Sequence, residues 1–312
     1  MILQMPWLQG AVDQFHQRMV NQRLPHAILL QGRAGDGAEI LAQSLAKAAL
    51  CNNPELGYPC NQCKSCLLHS AETHPDYMKL EPGGASVTIR VDDIRSLVDR
   101  FTTTAQISSR KVAVLLHAET MNTAAANALL KTLEEPPGDS LLILVTEGTK
   151  PLLPTVRSRC QPISMQSPDK AQITHWLEQR ELAKGASEAL MQALDYQPLK
   201  IAQWVEEGLN KNWEHFQAIL TGVAGSQLTP VMAATECKDI GVSDQLDWVD
   251  QKISAWVKQQ ASSGHALDRR WVRYLDQLIA LRRELIHSAN VNAQLFSESL
   301  FMLWQQFNRQ LG

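Results

Sequence analysis

Gly32-Arg33-Ala34-Gly35-Asp36-Gly37-Ala38-Glu39 is a glycine-rich loop that follows the apolar run Ala27-Ile28-Leu29-Leu30. A working phosphate-binding loop reads G-x-x-x-x-G-K-[ST]: backbone N–H groups cradle the phosphates, the Lys reaches the terminal phosphates, and the hydroxyl holds magnesium. Here both glycines stand at the required spacing, but Ala38 occupies the Lys position and Glu39 the Ser/Thr position. A carboxylate beside a triphosphate repels it by roughly 4 kcal/mol per charge pair at ~4 Å. The sequence therefore keeps the turn and lacks the nucleotide chemistry.

The segments around this glycine loop (residues 32–39) have the pattern of a parallel α/β fold. Residues 26–31 read as a buried strand and residues 39–50 as a helix, so the loop lies where a phosphate-binding loop must lie. Further strands are predicted at 111–116 and 141–146, with a helix at 123–135 between them that two prolines end. This alternation predicts a parallel sheet covered by helices.

The remainder of the chain reads as helix, and the bulk composition excludes several classes of protein. From about Pro168 onwards the β-branched runs give way to amphipathic helical patterns. A length of 312 residues predicts two or three domains. A net charge of −3 gives no global reason to bind nucleic acid. With no apolar run near the ~20 residues needed to span a bilayer and no secretory signal pattern, we expect a cytoplasmic protein without a membrane partner.

Four of the six cysteines fall close together, as Cys51, Cys60, Cys63 and Cys66. In a cytosolic protein, such spacing favours a metal site over disulfides. Four thiolates match the tetrahedral preference of zinc, and a closed four-cysteine site is structural because it leaves no position for water or substrate. The alternatives are iron–sulfur ligation, for which the fourth cysteine of the ferredoxin pattern would fall at Ser70, and unliganded thiols.

Two further motifs give the chain a resemblance to a known family. Asn127-Ala128-Leu129-Leu130-Lys131-Thr132-Leu133-Glu134-Glu135-Pro136-Pro137 resembles a helix shared by the AAA+ subunits of bacterial clamp loaders, and Leu152-Leu153-Pro154-Thr155-Val156-Arg157-Ser158-Arg159-Cys160 resembles their Ser-Arg-Cys motif. Residues 24–32 and 91–95 are similar to further segments of that family. The matched region covers roughly residues 24–160, and the helical remainder adds no specific motif.

The resemblance implies a fold in three parts. We expect an α/β AAA+ domain over residues 1–165 with a zinc module at 51–66, a small helical lid domain over 166–207, and an all-α collar domain over 208–312 that serves oligomerisation. In this family several subunits assemble into a ring that opens the sliding clamp. One kind of subunit resembles its ATP-hydrolysing neighbours and does not hydrolyse ATP itself.

The resemblance also assigns the site residues. Matching the family places Leu116 and His117 where an active ATPase has the Asp-Glu pair that holds magnesium and activates water, and places Leu199 where a lid arginine is expected. Neither Leu116 nor His117 can replace the carboxylates. The Ser158-Arg159 pair of the Ser-Arg-Cys motif is intact, and in the family this arginine projects into the ATP site of the adjacent subunit. We interpret Cys160 as a packed thiol, because no catalytic triad is evident around it.

The predicted function is that of a non-hydrolysing subunit of the DNA polymerase III clamp loader, supplying Arg159 as an arginine finger in trans. The chain would then belong to a DNA-directed DNA polymerase holoenzyme, a nucleotidyltransferase, without a working ATP or magnesium site of its own. Expected partners are the other subunits of a hetero-oligomeric ring and, through the complex, the sliding clamp and primer-template DNA. The alternatives are an active ATPase with a divergent loop and a zinc-dependent nucleic-acid-binding module.

Overall fold

The computed structural model describes residues 5–83, 88–148, 150–262, 269–287 and 292–309. The chain divides into two compact units, Met1–Trp176 and Leu177–Gly312. The finer division into an α/β domain, a lid and a collar stays a prediction. Within the described residues, we find no helix whose length and apolarity would suffice for a membrane span.

The first unit is built on a parallel sheet, which in the described residues has five strands in the order β2-β3-β4-β1-β5. The pairing register places Ile28 of the first strand between Ile143 and Gln161 of its two neighbours. The strands are β1 (Ala27–Gln31), β2 (Tyr77–Leu80), β3 (Lys111–Leu115), β4 (Ser140–Thr146) and β5 (Gln161–Ser164).

Helices cover this sheet and connect its parallel strands, as parallel pairing requires. One face carries a continuous apolar core in which side chains of β1, β3 and β4 pack against α4 and α5. The helices of the first unit are α1 (Gln9–Val20), α2 (Ala38–Leu50), α3 (Lys64–Ser70), α4 (Val91–Phe101), α5 (Thr123–Glu134) and α6 (Pro154–Arg157). Helix α7 (Lys170–Gln179) crosses the boundary between the units, and short 3-10 turns lie at Pro6–Leu8 and Ala118–Thr120.

The second unit is helical throughout its described residues. Its core includes Phe216, whose ring lies 5.5 Å from that of Trp248 and 5.7 Å from that of Phe301, and the indole N–H of Trp304 donates to the Leu220 carbonyl at 2.8 Å. The elements are a 3-10 turn at Ala183–Gly185, α8 (Glu188–Ala193), α9 (Pro198–Glu206), α10 (Leu209–Ala224), α11 (Pro230–Glu236), α12 (Val242–Ser262), α13 (Arg269–His287) and α14 (Ala293–Arg309).

The elements predicted around the glycine loop are confirmed to within a residue at each end. Strands β1, β3 and β4 and helices α2 and α5 all lie where the apolar patterns indicated. Strands β2 and β5 were not predicted. Each has only four residues and forms an edge of the sheet, so neither carries the continuous apolar run that marks a central strand.

A buried polar cluster joins the cysteine-rich segment to the edge of the sheet. The Ser65 hydroxyl donates to the Leu50 carbonyl at 2.7 Å and lies 2.9 Å from Nε2 of His74. Nδ1 of His74 accepts the backbone N–H of Asp76 at 3.0 Å, so the proton of the neutral ring is on Nε2. With that tautomer the imidazole donates to the serine and cannot act as its base. The Ser–His–Asp grouping is therefore structural.

Asp76 anchors this cluster, because its fully buried carboxylate accepts three backbone N–H groups. The donors are Gln106 and Ile107 at 2.7 Å and Ser108 at 2.9 Å. Burial alone would raise the pKa of Asp76, but these three hydrogen bonds favour the carboxylate, and the net pKa is lowered.

We expect Asp76→Ala to lower the free energy of unfolding by about 3 kcal/mol or more, because three backbone donors lose their acceptor. A lowered carboxyl pKa contributes stability that is present at neutral pH and is lost as the pH falls through the folded-state value, below about pH 4. The variant should therefore lose less stability than the wild type between pH 4 and pH 2. Urea unfolding followed by circular dichroism measures both effects.

Asp99→Ala is the matched control, because Asp99 lies exposed on α4. We expect it to change the free energy of unfolding by no more than about 0.5 kcal/mol. Equal losses for Asp76→Ala and Asp99→Ala would contradict the role given to the buried carboxylate.

Candidate functional site

The glycine loop connects β1 to α2, and its glycines have the backbone angles that the turn needs. Gly35 and Gly37 have φ of +78° and +99°, a region in which a side chain is strained, and Gly37 caps the start of α2. The Gly32 N–H donates to the Thr146 carbonyl of β4 at 3.1 Å, so the start of the loop continues the sheet pairing. The architecture predicted from the two motif glycines, Gly32 and Gly37, is therefore present.

The loop is packed by the chain's own side chains. Asp36 is buried, and its carboxylate pairs with the Arg33 guanidinium at 3.3 Å. The Asp36 carbonyl accepts the indole N–H of buried Trp7 at 2.8 Å. A Cβ added to Gly32 would come within 3.1 Å of the Met165 side chain. A buried carboxylate and a tryptophan thus hold a loop that in an active site would surround phosphates.

Ala38 and Glu39 stand at the two positions where a working loop has its phosphate-binding lysine and its magnesium-binding hydroxyl. Ala38 is buried and offers no cation. The Glu39 carboxylate accepts from Nζ of Lys79 at 2.9 Å, and the same ammonium pairs with Glu81 at 3.1 Å. Burial opposes the charge on Lys79, but the hydrogen bonds that its ammonium donates to Glu39 and Glu81 outweigh that effect and raise the Lys79 pKa. This lysine, which the sequence did not single out, is committed to carboxylates.

The end of β3 carries the two residues predicted at the magnesium-binding position. Leu116 is buried, and His117 lies in the left-handed backbone region with Nδ1 3.7 Å from the Glu147 carboxylate. Glu119, largely buried, accepts the backbone N–H of Glu147 at 3.1 Å. Sequence reasoning missed Glu119 and Glu147, since they become neighbours only when β3 and β4 pair. Leu199, predicted at the lid position, lies on α9 in the second unit.

The four predicted cysteines come together. The Sγ atoms of Cys51, Cys60, Cys63 and Cys66 all lie within 4.8 Å of one another. Cys51 Sγ lies 3.5 Å from that of Cys60 and 3.9 Å from that of Cys63. A tetrahedron with metal–sulfur bonds of ~2.3 Å has sulfur–sulfur edges of about 3.8 Å. The cluster therefore has the size that one tetrahedral metal ion requires.

Backbone N–H groups point at these sulfurs. The N–H of Cys60 donates to Cys51 Sγ at 3.3 Å, that of Cys63 to Cys60 Sγ at 3.4 Å, and that of Cys66 to Cys63 Sγ at 3.4 Å. Burial raises the pKa of Cys63, but N–H donors from Cys66 and Asn52 outweigh it and bring that pKa down to about 6. Such donors stabilise thiolates, the form in which cysteine binds a metal.

The Ser-Arg-Cys motif follows α6 and leads into β5. Ser158 is exposed, and its hydroxyl donates to the Thr155 carbonyl at 3.1 Å. Arg159 is partly exposed, donates to the same carbonyl at 2.9 Å and pairs with Glu134 at 2.6 Å. Cys160 lies in the apolar core, where burial raises its pKa to about 11. The tripeptide thus presents two side chains outward and anchors the third inside.

The sheet separates Arg159 from the chain's own glycine loop. Strands β1 and β5 run parallel, with Ile28 opposite Gln161. The glycine loop follows the carboxyl end of β1, whereas Arg159 precedes the amino end of β5. At ~3.3 Å per residue, the intervening part of a strand spans roughly 10 Å or more. The glycine loop therefore lies at the carboxyl ends of the strands, and Arg159 lies at their amino ends.

A parallel sheet with a glycine loop between its first strand and the next helix defines an α/β domain of the P-loop type. A family model described as DNA polymerase III, delta subunit, matches residues 7–169, more than half of the chain. Among solved structures, a DNA polymerase III gamma subunit-related protein from Thermotoga maritima has a similar fold. Its TM-score is 0.50 at 20% identity, over 96% of this chain and all of that one.

Curated relatives identify the family more narrowly. The chain is 33% identical to DNA polymerase III subunit delta′ of Pseudomonas aeruginosa over 96% of both chains. It is 35% identical to the Escherichia coli protein of the same name over 61% of this chain and 56% of that one. The chain therefore belongs to the delta′ subunit family of the DNA polymerase III clamp loader.

We expect Cys160 to resist alkylation in the folded protein, because it is buried and its raised pKa leaves almost no thiolate at pH 8. Native treatment with iodoacetamide, followed by mass spectrometry, should leave Cys160 unmodified. Cys237, buried in the second unit with a pKa raised to about 12, is the internal comparison and should behave alike. Both should react in urea. Rapid native labelling of Cys160 alone would restore its candidacy as a nucleophile.

Proposed function

We propose that this chain is a non-hydrolysing subunit of the clamp loader and supplies Arg159 as an arginine finger to the ATP site of a neighbouring subunit. One observation carries the proposal. The glycine loop lacks the lysine and hydroxyl of a working site, and Arg159 is partly exposed at the opposite end of the strands of the same sheet. An arginine so placed cannot serve its own loop, and it is available to a partner.

The chemistry of arginine suits this role. Its planar guanidinium remains charged at any physiological pH and offers N–H donors in a fixed fork that matches phosphate oxygens. In phosphoryl transfer such a residue stabilises the charge that develops on the transferred group, and it typically contributes ~10³-fold or more in rate. In this role Ser158, which precedes the finger, contributes by closing the α6 turn through its bond to Thr155.

The absence of intrinsic ATPase activity is part of the proposal. It is supported by Ala38 in place of the phosphate-binding lysine, by Glu39 held by Lys79, and by Leu116 and His117 in place of the magnesium-binding carboxylates. A divergent ATPase is the rival enzyme function. Hydrolysis by the isolated chain that Gly37→Asp abolishes would favour this rival.

The remaining parts of the proposal concern the assembly. The chain would act in a hetero-oligomeric ring of clamp-loader subunits in the cytoplasm and would meet the sliding clamp and primer-template DNA through that complex. Residues 166–207 would form the lid, and the helices of residues 208–312 the collar that holds the ring together.

We assign zinc to the cysteine cluster, with a structural role. All four ligand positions are filled by Cys51, Cys60, Cys63 and Cys66, which leaves no place for a substrate. The ion would clip the segment between α2 and α3 to the domain. The segment also packs closely against α1. A Cβ added to Gly57 would lie 2.9 Å from the Cβ of His16, so the segment has to keep its shape to fit there, as a structural ion would ensure.

Metal analysis of the purified chain should find about one zinc ion per molecule. Cys63→Ser should lose most of this zinc and lower the melting temperature, whereas Cys237→Ser should keep the zinc. Bound iron, or a chain without any metal, would contradict the assignment. Tight, salt-sensitive DNA binding by the whole chain that Cys63→Ser abolishes would instead favour the nucleic-acid-binding function.

Arg159→Ala tests the finger. In a reconstituted loader, we expect the ATP site that faces this subunit to lose roughly a thousandfold in its rate of hydrolysis, while the other sites continue. Single-turnover measurements show this as the loss of one site's share of the fast phase. Arg157→Ala, at an exposed arginine two residues earlier, is the matched control and should leave the rate unchanged. An unchanged fast phase in a fully assembled Arg159→Ala loader would refute the role.

A further inference from the structure

We propose that Glu134 is a positioning residue that holds the Arg159 guanidinium in place for the neighbour's phosphates. This inference rests on the proposed function, because it concerns how the same arginine is presented. Glu134 is the last residue of α5, and its Oε1 lies 2.6 Å from Nη2 of Arg159. In the sequence, Glu134 is recognisable only as part of the motif at residues 127–137.

Two contacts fix the guanidinium at its two terminal nitrogens. Nη2 pairs with Glu134, and Nη1 donates to the Thr155 carbonyl at 2.9 Å. A guanidinium has five N–H donors, so the others remain for an incoming phosphate. Val156 and Cys160, on either side of Arg159, are buried in the same core, and they anchor the backbone from which the arginine extends. The side chain is therefore held at its base and at its tip.

Helix stability gives no reason for a carboxylate at this position. Glu134 lies at the carboxyl end of α5, where the helix dipole disfavours a negative charge. Its side chain is half exposed, so it fills no part of the core. The contact that gives this carboxylate a role is the one with Arg159.

The strength of the Arg159–Glu134 ion pair decides whether Glu134 orients Arg159 for phosphate or prevents it from binding phosphate. Both side chains are more than a third exposed. Exposed ion pairs are weak, and the attraction of a guanidinium to the several negative charges of a nucleotide triphosphate is stronger. Such a weak pair cannot withhold Arg159 from phosphate. It can restrict the rotamers of a long side chain and so reduce the entropy lost when the finger engages.

Glu134→Ala in the reconstituted loader tests this role. We expect kcat at the neighbouring ATP site to fall about two- to fivefold with KM for ATP unchanged, as the loss of an exposed pair implies. Glu134→Gln keeps a carbonyl oxygen that can accept from Nη2, and it should restore the rate to within about twofold of the wild type. Glu135→Gln removes the adjacent charge and is the control, with no change expected.

A double-mutant cycle separates this inference from the function on which it rests. If Glu134 acts through Arg159, then Glu134→Ala has no further effect in an Arg159→Ala background. Equal losses in both backgrounds, or a higher rate in Glu134→Ala alone, would overturn the positioning role. A slow Arg159→Ala loader beside a Glu134→Ala loader of normal rate would leave the finger standing and reject the positioning. A normal rate of hydrolysis in the Arg159→Ala loader would refute both the finger role of Arg159 and the positioning role of Glu134.

Discussion

The parallel pairing of β1 with β5 is the constraint on which the functional arrangement depends. Parallel strands have all their carboxyl ends on one side of the sheet and all their amino ends on the other. The segment that follows β1 and the segment that precedes β5 must therefore lie at opposite ends of the strands. The glycine loop follows β1, and the Ser-Arg-Cys motif precedes β5. A domain of this topology presents a nucleotide-type loop on one side and an arginine on the other. The proposed function requires this arrangement, because the arginine of one subunit would have to reach the nucleotide loop of the next.

The apolar core on one face of the sheet fixes the segment that carries Arg159 relative to the strands. Side chains of β1, β3 and β4 share one apolar cluster with α4 and α5, and Val156 and Cys160 join it from the segment that carries Arg159. On the far side of the sheet, at the outer strand β2, the Asp76 carboxylate ties the start of that strand to the loop before β3. Rigid packing of this kind is what a residue acting across an interface would need, because a misplacement of ~1 Å costs much of its effect.

The sequence predicted those features that are local, and it missed those that long-range pairing creates. The glycine loop, the four cysteines and the Ser-Arg-Cys tripeptide are each readable within a short segment. The pairs Lys79–Glu39 and Arg159–Glu134 join positions 40 and 25 residues apart, and no periodicity or spacing rule connects them. Strand β2, which delivers Lys79, was itself missed, since a four-residue edge strand carries too few apolar side chains to be recognised.

A glycine loop without nucleotide chemistry persists because it still has a structural task. It must turn the chain from β1 into α2, whose Leu41, Ala42 and Leu45 are buried in the first unit, and only glycines tolerate the left-handed angles of that turn. The lost lysine and hydroxyl were not part of that task. Arg33, Asp36 and Trp7 now secure the loop from within the chain. The proposed function uses this arrangement, because the frame of the domain does not depend on an ATP site and still carries Arg159 at the amino end of β5.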